Sequence, residues 1–244
     1  MTSAANLLRE VGHRPWPVPN RAWIMVQVWR DLLFAHWSVP HAAIQRLVPE
    51  QLTLDTFDGQ AWVSVTPFHM SLRLRGLPPL PGMLDLPELN CRTYVTVENK
   101  PGIYFFSLDI ASHAAVFGAR AFYHLPYFHA HMEIEKQGDS FSYFSRRGRA
   151  SWRATYAPVS AARKAAPGSL DYFLAERYCL YTVWRGGTYR GEIHHSPWPL
   201  QDTAATIHEN TVAAAAGIQL PHAPRALSFA RELKVLIWPL ERIG

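Results

Sequence analysis

The sequence predicts a mainly β protein of the α+β class, an antiparallel β-barrel with a few helices at its ends. Segments of alternating or continuous apolar residues recur along the chain, and turn sequences such as Asp58-Gly59 separate them. Helical patterns are few and short by comparison. The chain holds 9 tryptophans and 13% aromatic residues, which favours strands with large side chains. No linker divides the 244 residues, so we expect a single domain over residues 1–244.

The net charge of +5 and the pI near 9.4 raise the question of nucleic-acid binding. Phosphate recognition requires clustered basic residues, and the clearest cluster here is Arg146, Arg147 and Arg149. This cluster is interpreted as the solvated end of a hairpin. We therefore expect no nucleic-acid partner.

Cysteine usage and the lack of a targeting pattern favour the cytoplasm. Cys91 and Cys179 lie inside apolar strand patterns, which is typical of buried free thiols in a reducing compartment. The first 20 residues have no apolar core of signal-peptide length, and no stretch has the length of a membrane span. We expect a cytoplasmic protein with no membrane partner.

The N-terminal third begins with a weak helical pattern around Leu7 to Val11 and a Pro-rich extended segment. A strand from Trp23 to Trp29 follows. The apolar run after it leads to Ser38, which is predicted to cap a short helix that Pro49 stops.

A hairpin is predicted from Leu52–Phe57 and Gln60–Met70, because Asp58-Gly59 supplies the positive φ of a tight turn. The next segment, Arg73 to Leu86, is dense in Pro and Gly. Its length is typical of a lid or binding loop, although a rigid segment packed across the barrel end is an equal alternative.

The strand from Leu89 to Val97 has two different faces. One face is mostly apolar, and the other carries Asn90, Arg92 and Tyr94. A row of an amide, a guanidinium and a phenol fits a polar cavity better than a solvated surface. The turn Glu98 to Gly102 leads into the next strand.

That returning strand, Ile103 to Ile110, is nearly all apolar and is expected to be covered on both faces. A short helix follows, with Ser112 as its N-cap and Pro126 beyond its end. The remaining elements are predicted from hairpin, capping and periodicity signals. They are strands at His129–Glu135, Ser140–Arg146 and Arg149–Tyr156, a helix at Leu170–Ala175 capped by Ser169, a hairpin of Arg177–Trp184 and Thr188–His195, a helix from Thr203 to Ala216 ending at Gly217, and a strand at Leu227–Ile237.

A two-residue period places His129, His131, Glu133 and Glu135 on one strand face. His-x-His on a strand is a common two-ligand metal geometry, and His194-His195, His36 or His69 could supply a third ligand. An ordinary half-exposed strand face is the commoner explanation. We therefore predict no metal and keep a His-based metalloenzyme as a less favoured alternative.

Covalent catalysis is not favoured. The chain has no G-x-S-x-G elbow, and neither cysteine lies where its pKa would be lowered. Schiff-base chemistry needs a desolvated lysine. Lys100 and Lys136 lie in predicted turns, Lys164 in a loop and Lys234 in a strand expected to be an exposed edge.

The remaining candidates are acidic, basic and hydrogen-bonding side chains around an apolar cavity. Arg92 is the most informative of them. A guanidinium on the polar side of a core strand must be paired. Glu88 or a ligand carboxylate would pair it. An internal salt bridge that only sets strand register is the alternative interpretation.

Eight segments together resemble the YqjF-like proteins, an uncharacterised bacterial family of the acetoacetate decarboxylase-like superfamily. The resemblance covers nearly the whole chain and implies the superfamily's β-barrel with an internal pocket, but no established activity. The segments are FAHWSVP (Phe34 to Pro40), LDTFDGQAWVSVTPF (Leu54 to Phe68), RGLPPLPG (Arg75 to Gly82), PELNCRTYV (Pro87 to Val95), GIYFFSLD (Gly102 to Asp109), LPYFHA (Leu125 to Ala130), ERYCLY (Glu176 to Tyr181) and HHSPWPLQ (His194 to Gln201).

The more distant likeness to acetoacetate decarboxylase implies a loss of its chemistry. That enzyme has a Gly-Arg helix leading to a Pro-Lys-Lys segment whose first lysine forms the imine. Here Gly118-Ala119-Arg120 leads to Pro126-Tyr127-Phe128, so the resemblance places Tyr127 at the nucleophile's position. The enzyme's acidic residue is matched by Asn90 or, with a two-residue shift, by Glu88.

We therefore expect a pocket for a small anionic or carbonyl-containing ligand, without a cofactor. A non-catalytic binding or sensory protein is as well supported as an acid–base enzyme, and a homo-oligomer remains open. The predicted catalytic residues are Tyr127, Glu88 and His129. The predicted ligand-binding residues are Arg92, Asn90, Tyr94, Arg177, Tyr181, His194 and His195.

Overall fold

A computed structural model describes residues 4–78 and 82–244 and consists of a closed β-barrel, a second sheet and short helices. The strands are β1 (Met25–Val39), β2 (Thr53–Leu54), β3 (Ala61–Leu74), β4 (Leu86–Val97), β5 (Lys100–Ile110), β6 (Tyr127–His129), β7 (His131–Gln137), β8 (Ser140–Arg147), β9 (Ala150–Pro158), β10 (Cys179–Trp184), β11 (Gly187–His194), β12 (Leu200–Gln201), β13 (Thr203–Asn210) and β14 (Ala226–Arg242). The helices are α1 (Ala4–Leu7), α2 (His41–Gln45), α3 (His113–Tyr123), α4 (Leu170–Ala175) and α5 (Val212–Ala215).

The barrel closes through seven strands in the order β4, β3, β1, β14, β11, β10, β5 and back to β4. Its neighbours pair antiparallel except β5 and β10, which run parallel where Ile103 faces Leu180 and Tyr104 faces Tyr181. The short strand β6 also pairs parallel with β5. The prediction of an antiparallel barrel is therefore wrong, and the barrel is mixed. Hairpin patterns report only local pairings, whereas β5 and β10 meet across about 70 residues of intervening chain.

The second sheet is an antiparallel meander in the order β13, β9, β8, β7. The three predicted strands between His129 and Tyr156 are confirmed. The predicted helix from Thr203 to Ala216 is wrong, because Thr203–Asn210 is strand β13 and only Val212–Ala215 is helical. Pairing with the free edge of β9 outweighs the helix propensity of the alanines.

Two apolar layers bury β4 on both faces. Leu89, Cys91 and Val95 point outward and belong to the core that includes Tyr143 and Trp152 of the second sheet. A separate apolar cluster fills part of the barrel interior. The polar face of β4 is consequently turned toward the inside of the barrel, as its alternation predicted.

The strand-to-helix corner differs from the prediction. β1 continues through Ser38, with a register shift between Arg30 and Ala35 where Asp31 has a φ of 53°. α2 begins at His41 with Pro40 at its N-cap, and no side chain caps it. Ser38 as an N-cap is therefore wrong, because Ser38 remains in the strand and pairs with Trp62 of β3.

The turn Asp58-Gly59 is confirmed, with positive φ at both residues, but it joins only one bridged pair, Phe57 and Gln60. The segment before it forms β2, which pairs with β4 instead of extending a hairpin with β3. β1 and β4 already occupy both edges of β3. The first half of the predicted hairpin, Leu52–Phe57, therefore cannot pair along β3.

Two helices lie toward opposite ends of β4. The N-cap predictions are confirmed: Ser112 Oγ accepts a hydrogen bond from the Ala115 amide at 3.3 Å, and Ser169 caps α4 in the same way. Tyr127, which follows α3, contacts Glu88, whereas the carbonyl of Leu174 in α4 is bonded by Tyr94. The polar face of β4 therefore runs between the two helices.

Three further predictions concern other parts of the chain. Cys91 and Cys179 are buried free thiols, as expected, and burial raises the pKa of each to about 12. Within the described part of the chain, no helix is both long and apolar enough to span a membrane. The predicted loop from Arg73 to Leu86 includes residues 79–81, which lie outside the described residues.

Gly102 permits the close approach of β5 to β10, and Gly102→Ala should destabilise the protein. A Cβ at this position would lie 2.6 Å from Cε2 of Tyr181 and 2.8 Å from the carbonyl oxygen of Cys179. We expect a loss of about 1–3 kcal/mol in the free energy of unfolding, measured by urea titration. Gly12→Ala is the matched control, because a Cβ there meets nothing within 4 Å. Equal stabilities for the two variants would contradict a tight parallel closure.

Candidate functional site

A cavity of about 740 Å³ lies inside the barrel. Most of its lining is apolar and includes Leu32, Phe68, Leu108 and Ile237. β4 contributes Glu88, Asn90 and Arg92 to one wall. The volume is that of a typical small-molecule site, and a few polar groups on a mainly apolar lining are typical of such sites.

The strand register brings further polar groups to this wall. Thr66 on β3 faces Asn90 on β4, and Ser64 faces Arg92. Directly opposed residues on paired antiparallel strands have side chains on the same face. Thr66 therefore lies beside Asn90 and also lines the cavity. Thr66 was not predicted as a site residue, although Ser64, Thr66 and Phe68 alternate with Val63 and Val65, a pattern that indicates a shared strand face.

Arg92 is buried, with 6% of its surface exposed, and has no hydrogen bond or ion pair within residues 4–78 and 82–244. Its guanidinium carbon lies 5.4 Å from the centre of the Phe34 ring. Glu88 is hydrogen bonded to Tyr127, and the internal salt bridge of the alternative interpretation does not form among the described residues. Arginine remains charged even when buried. Its wall consequently carries a positive charge without a protein counter-ion among the described residues.

Two neighbours of Arg92 also lack protein partners. The side-chain oxygens of Asn90 and Thr66 are buried and accept or donate no hydrogen bond in the described part of the chain. Buried polar atoms are nearly always paired, because leaving them unpaired costs free energy. Among the described residues that line the cavity, the buried unpaired atoms therefore belong to Arg92, Asn90 and Thr66, which lie on β3 and β4.

Glu88 and Tyr127 form a buried pair on the same wall. The Tyr127 hydroxyl donates a hydrogen bond to Glu88 Oε2 at 2.9 Å. Burial raises the pKa of Glu88 to about 8, although this hydrogen bond acts in the opposite direction. Burial and the neighbouring Glu88 carboxyl raise the pKa of Tyr127 well above its usual range. Glu88 is consequently mostly a neutral carboxylic acid at pH 7.

Tyr94 lies beyond Arg92 in a buried hydrogen-bonded chain rather than on the cavity lining. Its hydroxyl shares a hydrogen bond of 2.6 Å with Ser64 Oγ and donates to the Leu174 carbonyl at 3.0 Å. Ser64 Oγ in turn lies 2.5 Å from His36 Nδ1. Burial, and secondarily the charge of Arg92, hold the pKa of His36 well below its usual range. This hydrogen-bonded chain of His36, Ser64 and Tyr94 lies next to Arg92 and is called the floor.

Arg177 and His195 border the cavity but are held by other protein groups. Arg177 pairs with Asp55 at 2.6 Å and lies over the Phe173 ring. The ring nitrogens of His195 lie 2.8 Å from the Ser196 carbonyl and 3.3 Å from that of Arg177, and burial lowers its pKa to about 4. Both residues support the cavity wall and have few groups left for a ligand.

The structure does not bring Tyr181, His194 or His129 to the cavity lining. The Tyr181 hydroxyl donates to the Lys100 carbonyl at 2.8 Å, within the outer core. His194 Nε2 lies 2.8 Å from the Leu7 carbonyl. His129 is exposed and stacks on His113, with ring centres 3.7 Å apart.

The histidine strand is an exposed edge of the second sheet. His131 and Glu133 hydrogen bond to each other at 2.8 Å, and both side chains are exposed. Over residues 4–78 and 82–244, no group of three or more histidine, cysteine, aspartate or glutamate side chains could hold a metal ion. The geometry thus supplies no third ligand for the His-x-His alternative.

The lysines all lie away from the lining of the cavity. They are Lys100, Lys136, Lys164 and Lys234. Lys100 Nζ lies 3.7 Å from Oε1 of the buried Glu192, outside the barrel cavity. None of these four lysine amines is placed to form an imine with a ligand beside Tyr127.

The sequence matches a family of uncharacterised proteins. Residues 26–234 match the DUF2071 family, which is described as an uncharacterised conserved protein. The chain is 52% identical over 229 residues to the uncharacterised protein YqjF of Bacillus subtilis, covering 92% of this chain and 95% of the relative.

Several solved structures share the fold at low sequence identity. The acetoacetate decarboxylase of Legionella pneumophila matches with a TM-score of 0.61 at 12% identity, over 96% of this chain and 93% of the other. An acetoacetate decarboxylase-like enzyme from Sphingomonas wittichii matches with 0.64 at 10%, over 95% and 98%. The enduracididine biosynthesis enzyme MppR, complexed with pyruvate, matches with 0.62 at 11%, over 96% and 95%. These similarities establish the barrel fold.

The raised pKa of Glu88 predicts a specific pH dependence of stability. Between its ordinary value of 4.5 and about 8, the folded protein keeps a proton that the unfolded chain loses, so stability falls as pH rises through this range. We expect a loss on the order of 4 kcal/mol in the unfolding free energy between pH 5 and pH 8.

Glu88→Gln should remove this loss, because an amide does not titrate and can still accept the Tyr127 hydrogen bond. Urea titrations of both proteins across the pH range measure the difference. Glu133→Gln, at an exposed carboxylate, is the matched control. Parallel pH profiles for wild type and Glu88→Gln would show that Glu88 is ionised in the folded protein.

Proposed function

This chain belongs to the DUF2071 family of uncharacterised conserved proteins, and from that premise we propose that it binds a small anionic or carbonyl-containing molecule inside its barrel. The observation that carries the proposal is Arg92, a buried guanidinium on the cavity wall with no counter-ion in the described part of the chain. A buried charge without a partner is costly. An anionic ligand would remove that cost.

The groups around Arg92 suit a carboxylate or carbonyl head. A guanidinium can donate two parallel hydrogen bonds to a carboxylate, which gives both strength and orientation. The hydroxyl of Thr66 can donate as well, and the Asn90 amide can turn either its donor or its acceptor to the ligand. Pyruvate, bound by MppR within the same fold, is a small carboxylate of this kind.

An acid–base step is a second candidate function, favoured by the Glu88–Tyr127 pair. A carboxyl group with a pKa of about 8 can both give and take a proton near neutral pH. Tyr127 fixes one carboxyl oxygen by its hydrogen bond. Without a lysine at the cavity, this chemistry is non-covalent and differs from imine-based decarboxylation.

We place this function in the cytoplasm. Cys91 and Cys179 are both buried free thiols, and neither forms a disulfide. Free thiols of this kind fit a reducing compartment.

Arg92→Met should weaken carboxylate binding without unfolding the protein. Charge-assisted hydrogen bonds would be lost, so the Kd for pyruvate, acetoacetate or hexanoate should rise about tenfold to a hundredfold in calorimetric titrations. Thermal stability should stay equal or increase, because an unpaired buried charge is replaced by an apolar side chain. Arg46→Met, at an exposed arginine, is the control. An unchanged Kd in folded Arg92→Met would contradict the binding role.

The acid–base candidate predicts exchange of carbon-bound hydrogen. Glu88 would take a proton from the carbon beside a ligand carbonyl, and a deuteron from D₂O would return to that carbon. NMR of acetoacetate or pyruvate with the protein should show this exchange accelerating as pH rises toward about 8. Glu88→Gln should reduce the rate by about a hundredfold or more. Equal rates in the two proteins would leave binding as the function and rule out the acid–base step.

A further inference from the structure

We propose that the ligand of this cavity is an elongated monocarboxylate with a large apolar body, such as a medium- or long-chain fatty acid. Its carboxylate pairs with Arg92, and its body extends along the barrel toward α3. This inference rests on the proposed function, which places an anionic group at Arg92. It adds the size and the chemistry of the rest of the molecule.

The cavity is much larger than a small oxo acid. Its volume is about 740 Å³. At roughly 30 Å³ for one water-sized group in a liquid, this corresponds to on the order of 20 non-hydrogen atoms. A ligand that contacts the walls throughout therefore carries on the order of ten to twenty carbon atoms.

The distribution of polar groups points to a single charged head. The unpaired groups of Arg92, Asn90 and Thr66 lie together on β3 and β4. Away from them the walls consist mainly of apolar side chains, among them Met25, Leu32, Met70, Leu108, Ile110 and Ile237. A second charge or a row of hydroxyls would lose its hydration against these apolar side chains. The remainder of the ligand is consequently apolar.

The polar wall also sets the direction of the ligand. Glu88 and Arg92 are four residues apart on one strand face, which is roughly 13 Å along the strand. Glu88 lies toward α3, because its partner Tyr127 follows that helix. Arg92 lies toward the floor formed by Ser64 and Tyr94. A carboxylate at Arg92 therefore directs the body past Glu88 toward α3.

α3 leaves room at that end of the cavity. The helix contributes small residues to the lining, including Ala115, Gly118 and Ala119. None of its residues is buried, and Phe122 borders the cavity while 74% exposed, so the cavity reaches the surface beside this helix. A loosely packed helix over an apolar space suits the entry of a long apolar body.

A chain-length series tests the proposal. Butanoate, hexanoate, octanoate, decanoate and dodecanoate are titrated into the full-length protein by calorimetry. Each added methylene should lower Kd about threefold to fourfold until the cavity is filled. Arg92→Met should raise Kd by a similar factor for every acid and leave the dependence on length unchanged.

A second variant locates the body of the ligand. A Cβ built on Gly118 meets nothing within 4 Å, so Gly118→Phe can place a ring at the α3 end without a backbone clash. We expect its Kd for dodecanoate to rise tenfold or more while that for butanoate stays near the wild-type value. Phe117→Ser is the control, because this neighbour in the same helix is 74% exposed and does not line the cavity.

The outcomes separate this inference from the proposed function. Binding that needs Arg92 but does not strengthen with chain length overturns the inference and supports the proposed anion site. Binding that strengthens with chain length but is insensitive to Arg92→Met overturns the proposed function, and with it the position of the carboxylate at Arg92. If Kd depends on both Arg92 and chain length but Gly118→Phe does not raise the Kd for dodecanoate, the direction toward α3 is overturned.

Discussion

The double burial of β4 is the constraint on which the site depends. Its outer face packs against the second sheet, and its inner face is enclosed by the closed barrel. Polar side chains on the inner face are buried, so leaving their polar atoms unpaired costs free energy. Glu88 finds Tyr127, and Tyr94 finds Ser64, whereas Arg92 between them finds none among the described residues.

Burial affects the charges of Glu88 and Arg92, which lie on the same strand, in different ways. A buried carboxyl can lower its cost by keeping its proton, and the pKa of Glu88 rises to about 8 for that reason. A guanidinium has no such option, because it does not deprotonate in proteins. The wall is consequently positive near neutral pH. None of the four lysines lies on the lining, so no lysine is placed to form an imine with a molecule in the cavity.

Features that depend on neighbouring residues were predicted well. Ser112 and Ser169 cap their helices because the side-chain oxygen needs only the amide three residues ahead. Asp58-Gly59 turns because both residues tolerate positive φ. The alternation of β4 likewise placed Asn90 and Arg92 on one face and the apolar residues on the other.

The tertiary structure decided which surface each strand face contacts. Tyr181 and His194 lie on strands with the predicted alternation, yet their polar atoms bond to the carbonyls of Lys100 and Leu7 instead of reaching the cavity. The parallel closure of β5 on β10 and the strand β13 also depend on distant edges. The sequence by itself therefore determined the caps of α3 and α4, the Asp58-Gly59 turn and the shared faces of β4, since these follow from local backbone geometry. The closed barrel alone decided which polar groups surround the cavity, because a two-residue period carries no information about the surface that a face will contact.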